Sequence, residues 1–217
     1  MSTTLAVAGH DDYMRWYYDT GVWKQVTYRG VRSLKCVSDM WNYQEIIHAH
    51  NIDWVIETGS RFGGSALYFA DLLVARGAGG RVISIDMDAQ SNFAIEHPKI
   101  DFLYGDSASA DILDAVKRLL GERDQGGRVF LILDSDHRKE HVLRELEAYV
   151  PLLAPGDYLV VEDTCINGHP VRPDFGPGPW EAVEAFVAAH PGTLLHDAER
   201  EGKFGMTFAP HGHYIRL

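Results

Sequence analysis

The chain has 217 residues, 46% hydrophobic and 24% charged, which suits one globular domain with a sizeable core. Its formal charge of −11 argues against a nucleic-acid partner, because phosphate backbones require a basic surface. Residues 1–12 lack a signal-peptide pattern, no apolar run could span a bilayer, and two cysteines are too few for a disulfide framework. These absences predict a soluble, cytoplasmic protein.

An aromatic segment precedes the predicted domain. Residues 12–34 are predicted to be irregular and carry Tyr13, Trp16, Tyr17, Tyr18, Trp23 and Tyr28. We assign residues 1–38 to a segment that docks on the main domain or on a neighbouring subunit, and residues 39–217 to the domain itself. The first helix of the domain is predicted to begin at Asp39, as its N-cap, and to end near His50.

Predicted strands and helices alternate through most of the remaining chain. The strands are 53–58, 81–86, 100–104, 129–134 and 157–163, and the helices are 65–76, 111–120, 139–153 and 180–190. Strands that alternate with helices imply a parallel sheet covered on both faces. Residues 164–179 are rich in proline and glycine and predict a long loop. The runs 193–196 and 205–209 predict a terminal antiparallel hairpin, so the fold class is a doubly wound α/β domain with that hairpin at its end.

The turn after the first strand of this domain has a distinctive glycine spacing. Glu57, Gly59 and Gly63 follow the pattern E-x-G-x-x-x-G, and glycines there allow a sharp turn close to a ligand. The spacing differs from the G-x-G-x-x-G of dinucleotide sites. It resembles the first motif of Rossmann-like methyltransferases, whose sulfonium cofactor carries no pyrophosphate.

Acidic and polar residues end the next two strands. Asp86 can accept hydrogen bonds from both ribose hydroxyls, the usual function of an acid at this place in doubly wound nucleoside sites. Asp106 and Ser107 end the third strand, where they would contact the adenine. Each feature alone also fits a turn glycine or a helix cap. Their succession at one edge of the sheet favours a nucleoside site.

Three carboxylates follow the fourth and fifth strands. Asp134 ends one strand, and Glu162 and Asp163 end the next. If these strands are neighbours, the three acids converge, and like charges in a partly buried site require a cation. A hard divalent ion such as Mg2+ meets that need and leaves coordination places for substrate oxygens. The acids therefore predict a metal site that activates an acceptor hydroxyl.

His137 has two interpretations. With an ordinary pKa close to working pH, it suits a general base that removes the hydroxyl proton. It also fits a solvated residue at the start of a helix. Asp136 either caps that helix or orients His137, and the cap is the preferred interpretation. A set of helix N-caps would explain Asp134 and Asp163 singly, but not Glu162.

These motifs together resemble a known family. The stretches Lys35–Ile47, Val55–Gly59 with Gly63–Ala66, Asp134–His137, Val161–Thr164 and Lys203–Phe208 are similar to the family named for cephalosporin hydroxylase. Despite its name, that family consists of Rossmann-like, class I methyltransferases. It is similar to Mg2+-dependent enzymes that methylate sugar hydroxyls of macrolide antibiotics and to rhamnosyl O-methyltransferases. The likeness runs from about Tyr28 to the C-terminus.

The resemblance implies a role for each matching residue. Asp134, Glu162 and Asp163 match the metal ligands, with His137 as general base and Asp134 also catalytic. By the resemblance, Gly59, Ser65, Asp86 and Ser107 match the S-adenosylmethionine site. The full predicted cofactor site comprises Glu57, Thr58, Gly59, Ser60, Gly63, Ser65, Asp86, Met87, Asp106, Ser107 and Asp134. The acceptor would be a small natural-product intermediate, with a deoxysugar hydroxyl as the first choice, in a homo-oligomer. Arg61 departs from the family pattern, where smaller or less charged residues are common, and its role stays open between a salt bridge and a substrate contact.

Other functions compete with this one. A catechol or phenol acceptor would chelate the same metal and is the nearest alternative. If the chain were a non-catalytic partner protein, residues of the metal site or of the cofactor site should be missing. A hydroxylating iron centre would need two histidines with one carboxylate, and a nicotinamide dehydrogenase would need a different glycine spacing. The favoured prediction is a metal-dependent O-methyltransferase.

Overall fold

A computed structural model describes residues 9–88, 95–121 and 127–217. The first eight residues of the predicted N-terminal segment lie outside this part of the chain. The helices are α1 His10–Thr20, α2 Val37–Ala49, α3 Gly64–Arg76, α4 Ala110–Leu120, α5 Lys139–Tyr149, α6 Pro179–Ala189 and α7 Ala198–Gly202, with 3-10 turns at Val22–Gln25 and Val150–Leu152. The strands are β1 Thr27–Tyr28, β2 Val31–Arg32, β3 Ile52–Thr58, β4 Val82–Asp86, β5 Ile100–Tyr104, β6 Arg128–Leu133, β7 Tyr158–Val161, β8 Leu194–His196 and β9 His213–Arg216.

Seven of these strands form one sheet in the order β5-β4-β3-β6-β7-β9-β8. The five strands from β5 to β7 are parallel, and β9 is antiparallel to both of its neighbours. The chain begins the sheet at β3, builds outward to β5, and then returns to place β6 on the other side of β3. Ligands of open α/β sheets bind at such a switch point, beyond the carboxyl ends of the strands.

Helices cover both faces of the sheet because the central strands are buried on both sides. On one face, α4, α5 and α6 pack through residues such as Val116, Leu146 and Phe186. On the other face, α2 and α3 pack through residues such as Ile46 and Phe69. The predicted doubly wound fold with antiparallel edge strands is confirmed.

The aromatic N-terminal segment is more regular than the sequence predicts. Residues 10–20 form α1 rather than irregular chain, with two acids in the first turn that favour a helix N-terminus. Met14 and Tyr17, three positions apart on one helix face, are buried. They pack with Phe208 and with residues of the loop after β7. The boundary between segment and domain at residue 38 stays a prediction.

Two predictions are wrong: the strand at 205–209 and the helix cap at Asp39. Both depend on one contact, in which the Asp39 side chain binds the backbone of the 205–209 stretch. Asp39 lies inside the first turn of α2, whose N-cap is Cys36. Its Oδ2 accepts a hydrogen bond of 2.8 Å from the Phe208 backbone amide, so this stretch is tied to α2 and not to a strand. The antiparallel partner of β8 is β9, farther along the chain. Burial raises the pKa of Asp39 to about 7.

Within the described ranges, no helix combines the length and apolar character that crossing a membrane would require.

Phe208 is predicted to tie the N-terminal segment to the domain. Its side chain is 3% exposed, and its ring packs against the rings of Tyr17, Tyr18 and Trp23 at centroid distances of 5.8, 5.5 and 5.8 Å. Phe208→Ala should lower the free energy of unfolding by about 3 kcal/mol through the cavity it leaves. Phe204→Ala, at a side chain 40% exposed, is the matched control and should change it by less than about 0.5 kcal/mol. Equal midpoints in urea for the two variants would contradict this assignment.

Candidate active site

A cavity of about 600 Å³ lies beyond the carboxyl ends of the central strands. Residues that directly follow four different strands line it: Gly59, Met87, Gly105 and Asp134. Of the residues predicted from sequence, those that line it are Gly59, Asp86, Met87, Asp106, Ser107, Asp134, His137 and Asp163. The predicted cofactor half and the predicted metal half of the site therefore share one cavity.

Position 59 requires glycine because the turn after β3 contacts the backbone of the loop after β6 at this point. Its φ is +88°, and a Cβ at this position would lie 2.0 Å from the Asp134 backbone oxygen. Any side chain would force the first turn and the acid-bearing loop apart. The backbone amide of Asp134 in turn donates to the carbonyl oxygen and Oγ1 of Thr58, at 3.1 and 3.2 Å.

The remaining residues of the first turn support the cavity from behind its wall. Glu57 is fully buried, and its Oε2 accepts a hydrogen bond of 2.7 Å from Ser84 Oγ, which lies 2.6 Å from Ser60 Oγ. Burial raises the pKa of Glu57. Gly63, at φ +78°, is the N-cap of α3, and Ser65 is buried in its first turn. Five of the predicted cofactor residues therefore do not line the cavity within the described ranges: Glu57, Thr58, Ser60, Gly63 and Ser65.

Asp86 shapes the turn as well as the cavity. Its Oδ2 accepts the Arg61 backbone amide at 2.7 Å, and its Oδ1 accepts the Asp88 amide at 2.9 Å. The Arg61 guanidinium stands over the Phe62 ring at 5.5 Å, and Arg61 also lines the cavity. The hydrogen bond that joins this turn to Asp86 therefore comes from the backbone amide of Arg61 and not from its guanidinium group.

A polar network beside Ser107 was missed by the sequence reasoning. The buried Glu145 accepts hydrogen bonds from Ser107 Oγ at 2.5 Å and Ser135 Oγ at 2.7 Å. His141 Nε2 lies 3.1 Å from Ser107 Oγ, and the hydrogen bond to Glu145 raises the pKa of His141. The available signal was an acid among the apolar positions of the α5 helix, where Tyr149 and its neighbours face the core.

Two of the three predicted metal ligands, Asp134 and Asp163, form a compact group with His137, the predicted general base. Ligand-type atoms of Asp134, His137 and Asp163 all lie within 4.8 Å of one another. His137 Nε2 lies 3.0 Å from Asp163 Oδ2. Two carboxylates with one imidazole form a donor set suited to a hard or borderline divalent cation. These residues fit the metal that the sequence predicts.

Glu162 lies beside this group but faces the interior. It is 5% exposed, and its Oε1 accepts hydrogen bonds from Lys35 Nζ at 2.7 Å and Tyr43 OH at 3.0 Å. Lys35 Nζ also donates to Asp134 Oδ2 at 2.5 Å and lies 3.8 Å from Glu57 Oε1. Asp134 and Glu162 therefore converge as the sequence predicts, but on an ammonium group. The assignment of Glu162 as a ligand stays a prediction.

Burial and charge oppose each other in this cluster. Burial alone would lower the pKa of Lys35, which is 1% exposed, but the charges of Asp134, Glu162 and Glu57 outweigh it and raise that pKa. Burial raises the pKa of Asp134 to about 7, against the opposing effect of Lys35. Burial and the charge of Asp134 raise the pKa of Glu162 to about 8. The acids share one internal cation, and the pKa values of Asp134 and Glu162 remain raised despite it.

The preferred interpretation of Asp136 as the helix cap is wrong, because Arg138 is the N-cap residue of α5 and no side chain caps that helix. Asp136 instead closes the turn before α5. Its Oδ1 accepts the backbone amide of Arg138, the N-cap residue of α5, at 3.0 Å. Its carboxylate also pairs with the Arg138 guanidinium. That hydrogen bonding lowers the pKa of Asp136 to about 2.

Comparison with known proteins identifies the family. The family described as "Rhamnosyl O-methyltransferase/CmcI" matches residues 20–217. This chain belongs to the rhamnosyl O-methyltransferase/CmcI family. A rhamnosyl O-methyltransferase from Mycobacterium tuberculosis (strain ATCC 25618 / H37Rv) is 48% identical over 208 residues, 95% of this chain and 84% of that protein. The predicted class of enzyme, an S-adenosylmethionine-dependent O-methyltransferase, is confirmed by this membership of the CmcI family.

Two solved structures share the fold of this rhamnosyl O-methyltransferase/CmcI family member. One, described as "cmcI-D160 Mg-SAM", has a TM-score of 0.70 at 22% identity and covers 89% of this chain and 77% of its own. The other is the MycE methyltransferase of the mycinamycin biosynthetic pathway in complex with Mg, SAH and mycinamycin VI. Its TM-score is 0.51 at 21% identity, and the match covers 80% of this chain and 48% of that one.

Lys35 is predicted to stabilise the cluster as a buried cation. Lys35→Met keeps most of the side-chain volume but leaves the acids without their partner, so the free energy of unfolding should fall by about 3 kcal/mol near neutral pH. The deficit should shrink from about pH 9 to about pH 6, because acids with raised pKa take up protons and need the cation less.

Lys117→Met is the matched control, since that lysine is exposed and pairs with Asp114 on the surface of α4. It should change stability by less than about 1 kcal/mol. Urea titrations of both variants across pH make the measurement. A Lys35 variant as stable as the control at high pH would show that the ammonium does not balance the acids.

Proposed function

We propose that this family member transfers a methyl group from S-adenosylmethionine to a sugar hydroxyl of a small natural-product intermediate, with the help of a divalent metal ion. One observation carries the proposal. Asp86 and Asp106, predicted to bind the nucleoside, lie at the ends of β4 and β5. They line the same cavity as Asp134, His137 and Asp163, which follow β6 and β7. Donor and acceptor can therefore meet within it.

The cofactor assignment rests on the order of residues along the sheet edge. Gly59 leaves its turn open, while Asp86 and Asp106 line the cavity at the ends of the next two strands. A neighbour of the same fold is described with Mg and SAM, and MycE with Mg and SAH. The glycine turn, the acid at the end of β4 and the polar end of β5 suit the methionine, ribose and adenine parts of S-adenosylmethionine, respectively.

The metal assignment rests on charge and donor chemistry. Asp134, Asp163 and Glu162 would hold the ion, with Lys35 fixing one oxygen each of Asp134 and Glu162. A bound divalent cation lowers the pKa of a coordinated hydroxyl. Mg2+ is favoured because oxygen atoms dominate the donor set.

His137 is the proposed general base. Its Nε2 lies 3.0 Å from Asp163 Oδ2, a contact that orients the ring at the cavity wall. From there the imidazole would accept the proton of the acceptor hydroxyl. S-adenosylmethionine, held beside Gly59, Asp86 and Asp106, would supply the methyl group, and its sulfur would keep the electron pair of the carbon–sulfur bond. Removing the proton during attack is what raises the nucleophilicity of a hydroxyl near neutral pH.

The sugar acceptor is supported by the named relatives. The similar mycobacterial proteins carry the name rhamnosyl O-methyltransferase, and a 6-deoxyhexose offers vicinal hydroxyls to a metal site. A catechol offers the same pair of oxygens and is the second candidate. A soluble, cytoplasmic homo-oligomer remains our prediction from sequence.

The metal requirement gives the first test. Wild-type turnover with a rhamnoside acceptor should stop in the presence of a chelator and return on addition of Mg2+. Asp163→Asn should lower kcat by about a hundredfold or more at any Mg2+ concentration, since it removes a proposed ligand, while S-adenosylhomocysteine affinity by calorimetry stays within about twofold. Asp111→Asn, at an exposed acid of α4, is the control and should behave as wild type. Full activity with chelator present would exclude the metal mechanism.

His137 supplies a second test, because its ring could also complete the metal shell. His137→Ala should lower kcat by about a hundredfold or more near neutral pH, and rising pH should restore part of the loss as hydroxide replaces the base. Mn2+ affinity, followed by electron paramagnetic resonance, should stay within about threefold of wild type. A large loss of Mn2+ affinity in His137→Ala would instead assign the ring as a ligand.

A further inference from the structure

The N-terminal segment contributes one aromatic side chain to the cavity. Trp23, in the 3-10 turn after α1, lines the same space as His137 and Asp163. Ser33 and Leu34, 10 and 11 positions farther along the chain, also line the cavity, and the next lining residue in sequence is Gly59. None of the roles proposed for the metal, the base or the cofactor uses it.

Trp23 is fixed by its neighbours. Its indole Nε1 donates a hydrogen bond of 3.1 Å to the Tyr18 backbone oxygen. Its ring packs beside the Tyr18 ring at 5.6 Å and edge-on to the Phe208 ring at 5.8 Å, with planes at 85°. The same cluster includes residues of the loop after β7, which carries Asp163. An aromatic ring held on several sides loses little conformational entropy when a ligand contacts it.

The hydrogen bond to Tyr18 limits which side-chain atoms of Trp23 can contact a ligand. The only polar atom of an indole is its N–H group, and Tyr18 already accepts that hydrogen bond. The Trp23 side chain can therefore contact a ligand only through ring carbon atoms. Leu34, whose backbone has a positive φ of 56°, is a further apolar residue of the lining, as are Ile85 and Met87.

The apolar part of the cavity lies close to the acid site. Trp23 lines the same cavity as His137 and Asp163, and the cluster that holds Trp23 includes Cys165, whose Sγ lies 4.0 Å from Asp163 Oδ1. Carbon-rich and oxygen-binding surfaces therefore adjoin within one cavity. A matching acceptor has hydroxyls at one edge and an apolar C–H surface beside them.

A deoxysugar pyranose ring has that division. Its hydroxyls project from the ring edge, whereas axial C–H groups and the 6-methyl group make an apolar surface. We propose that Trp23 is the specificity-determining platform of the acceptor site, against which the C–H face of a 6-deoxyhexose packs while its hydroxyls reach the Asp134–His137–Asp163 group. The inference deepens the proposed function and rests on it.

The experiment uses the full-length chain with Mg2+, S-adenosylmethionine and methyl α-L-rhamnopyranoside, which has no aromatic group of its own. Trp23→Ala should raise the acceptor KM by about tenfold, because loss of one aromatic contact costs about that factor, and should change kcat by less than about threefold. Trp23→Phe keeps an aromatic ring and should restore most of the affinity. Trp23→Leu keeps apolar volume without the ring and should resemble the alanine variant.

Trp16→Ala is the matched control, since Trp16 belongs to the same segment, is 56% exposed and does not line the cavity within the described ranges. Its KM should equal that of wild type. Rhamnoside affinity measured by calorimetry with S-adenosylhomocysteine and Mg2+ bound should follow the KM order of the variants. Thermal unfolding checks that each variant is folded, and Trp23→Leu carries the comparison if the alanine variant is not.

The outcomes separate the two proposals. If wild type transfers no methyl group to the rhamnoside, the sugar assignment fails and the platform falls with it. If wild type is active but Trp23→Leu or Trp23→Ala binds the rhamnoside as well as wild type, only the platform is wrong. A loss of S-adenosylhomocysteine affinity in Trp23→Leu without change in acceptor KM would place Trp23 against the cofactor and also overturn the inference.

Discussion

The structure depends on one buried cation among acids. Lys35 Nζ bonds to Asp134 and Glu162 and lies near Glu57, which joins the ends of β3, β6 and β7 through a single side chain. Like charges this close would otherwise force protonation or separation of the carboxylates. The ammonium lets these acids be packed together in the interior with a positive charge among them. In the proposed function, a divalent ion would supply the further positive charge on the cavity side of the group.

Where the sequence reasoning succeeded, it relied on the geometry of parallel strands. The carboxyl ends of β6 and β7 must lie side by side once the strands are neighbours, and Asp134, Glu162 and Asp163 follow those ends. The glycine spacing of the first turn and the acid at the end of β4 belong to the same argument. Periodicity along the chain was sufficient there because each residue occupies a fixed place on one sheet edge.

Where that reasoning failed, the partner comes from distant chain. Lys35 lies in a stretch without helical or strand periodicity, and no local pattern shows that its ammonium enters an acid cluster. Phe208 sits in a run that alternates as a strand would, yet its amide is taken by Asp39, which is 169 positions away. The α1 helix is stabilised by burial of Met14 and Tyr17 against the loop after β7. Such tertiary contacts override local preference.

The close approach at Gly59 has a mechanical consequence. Because a single added carbon on that glycine would collide with the Asp134 backbone, the loop that would cradle the methyl donor and the loop that would hold the acceptor oxygen are in direct contact. Their spacing is set by backbone atoms, whose planar peptide bonds leave few ways to deform. The separation between the proposed donor and acceptor loops is thus fixed by the chain itself and does not depend on side-chain rotamers.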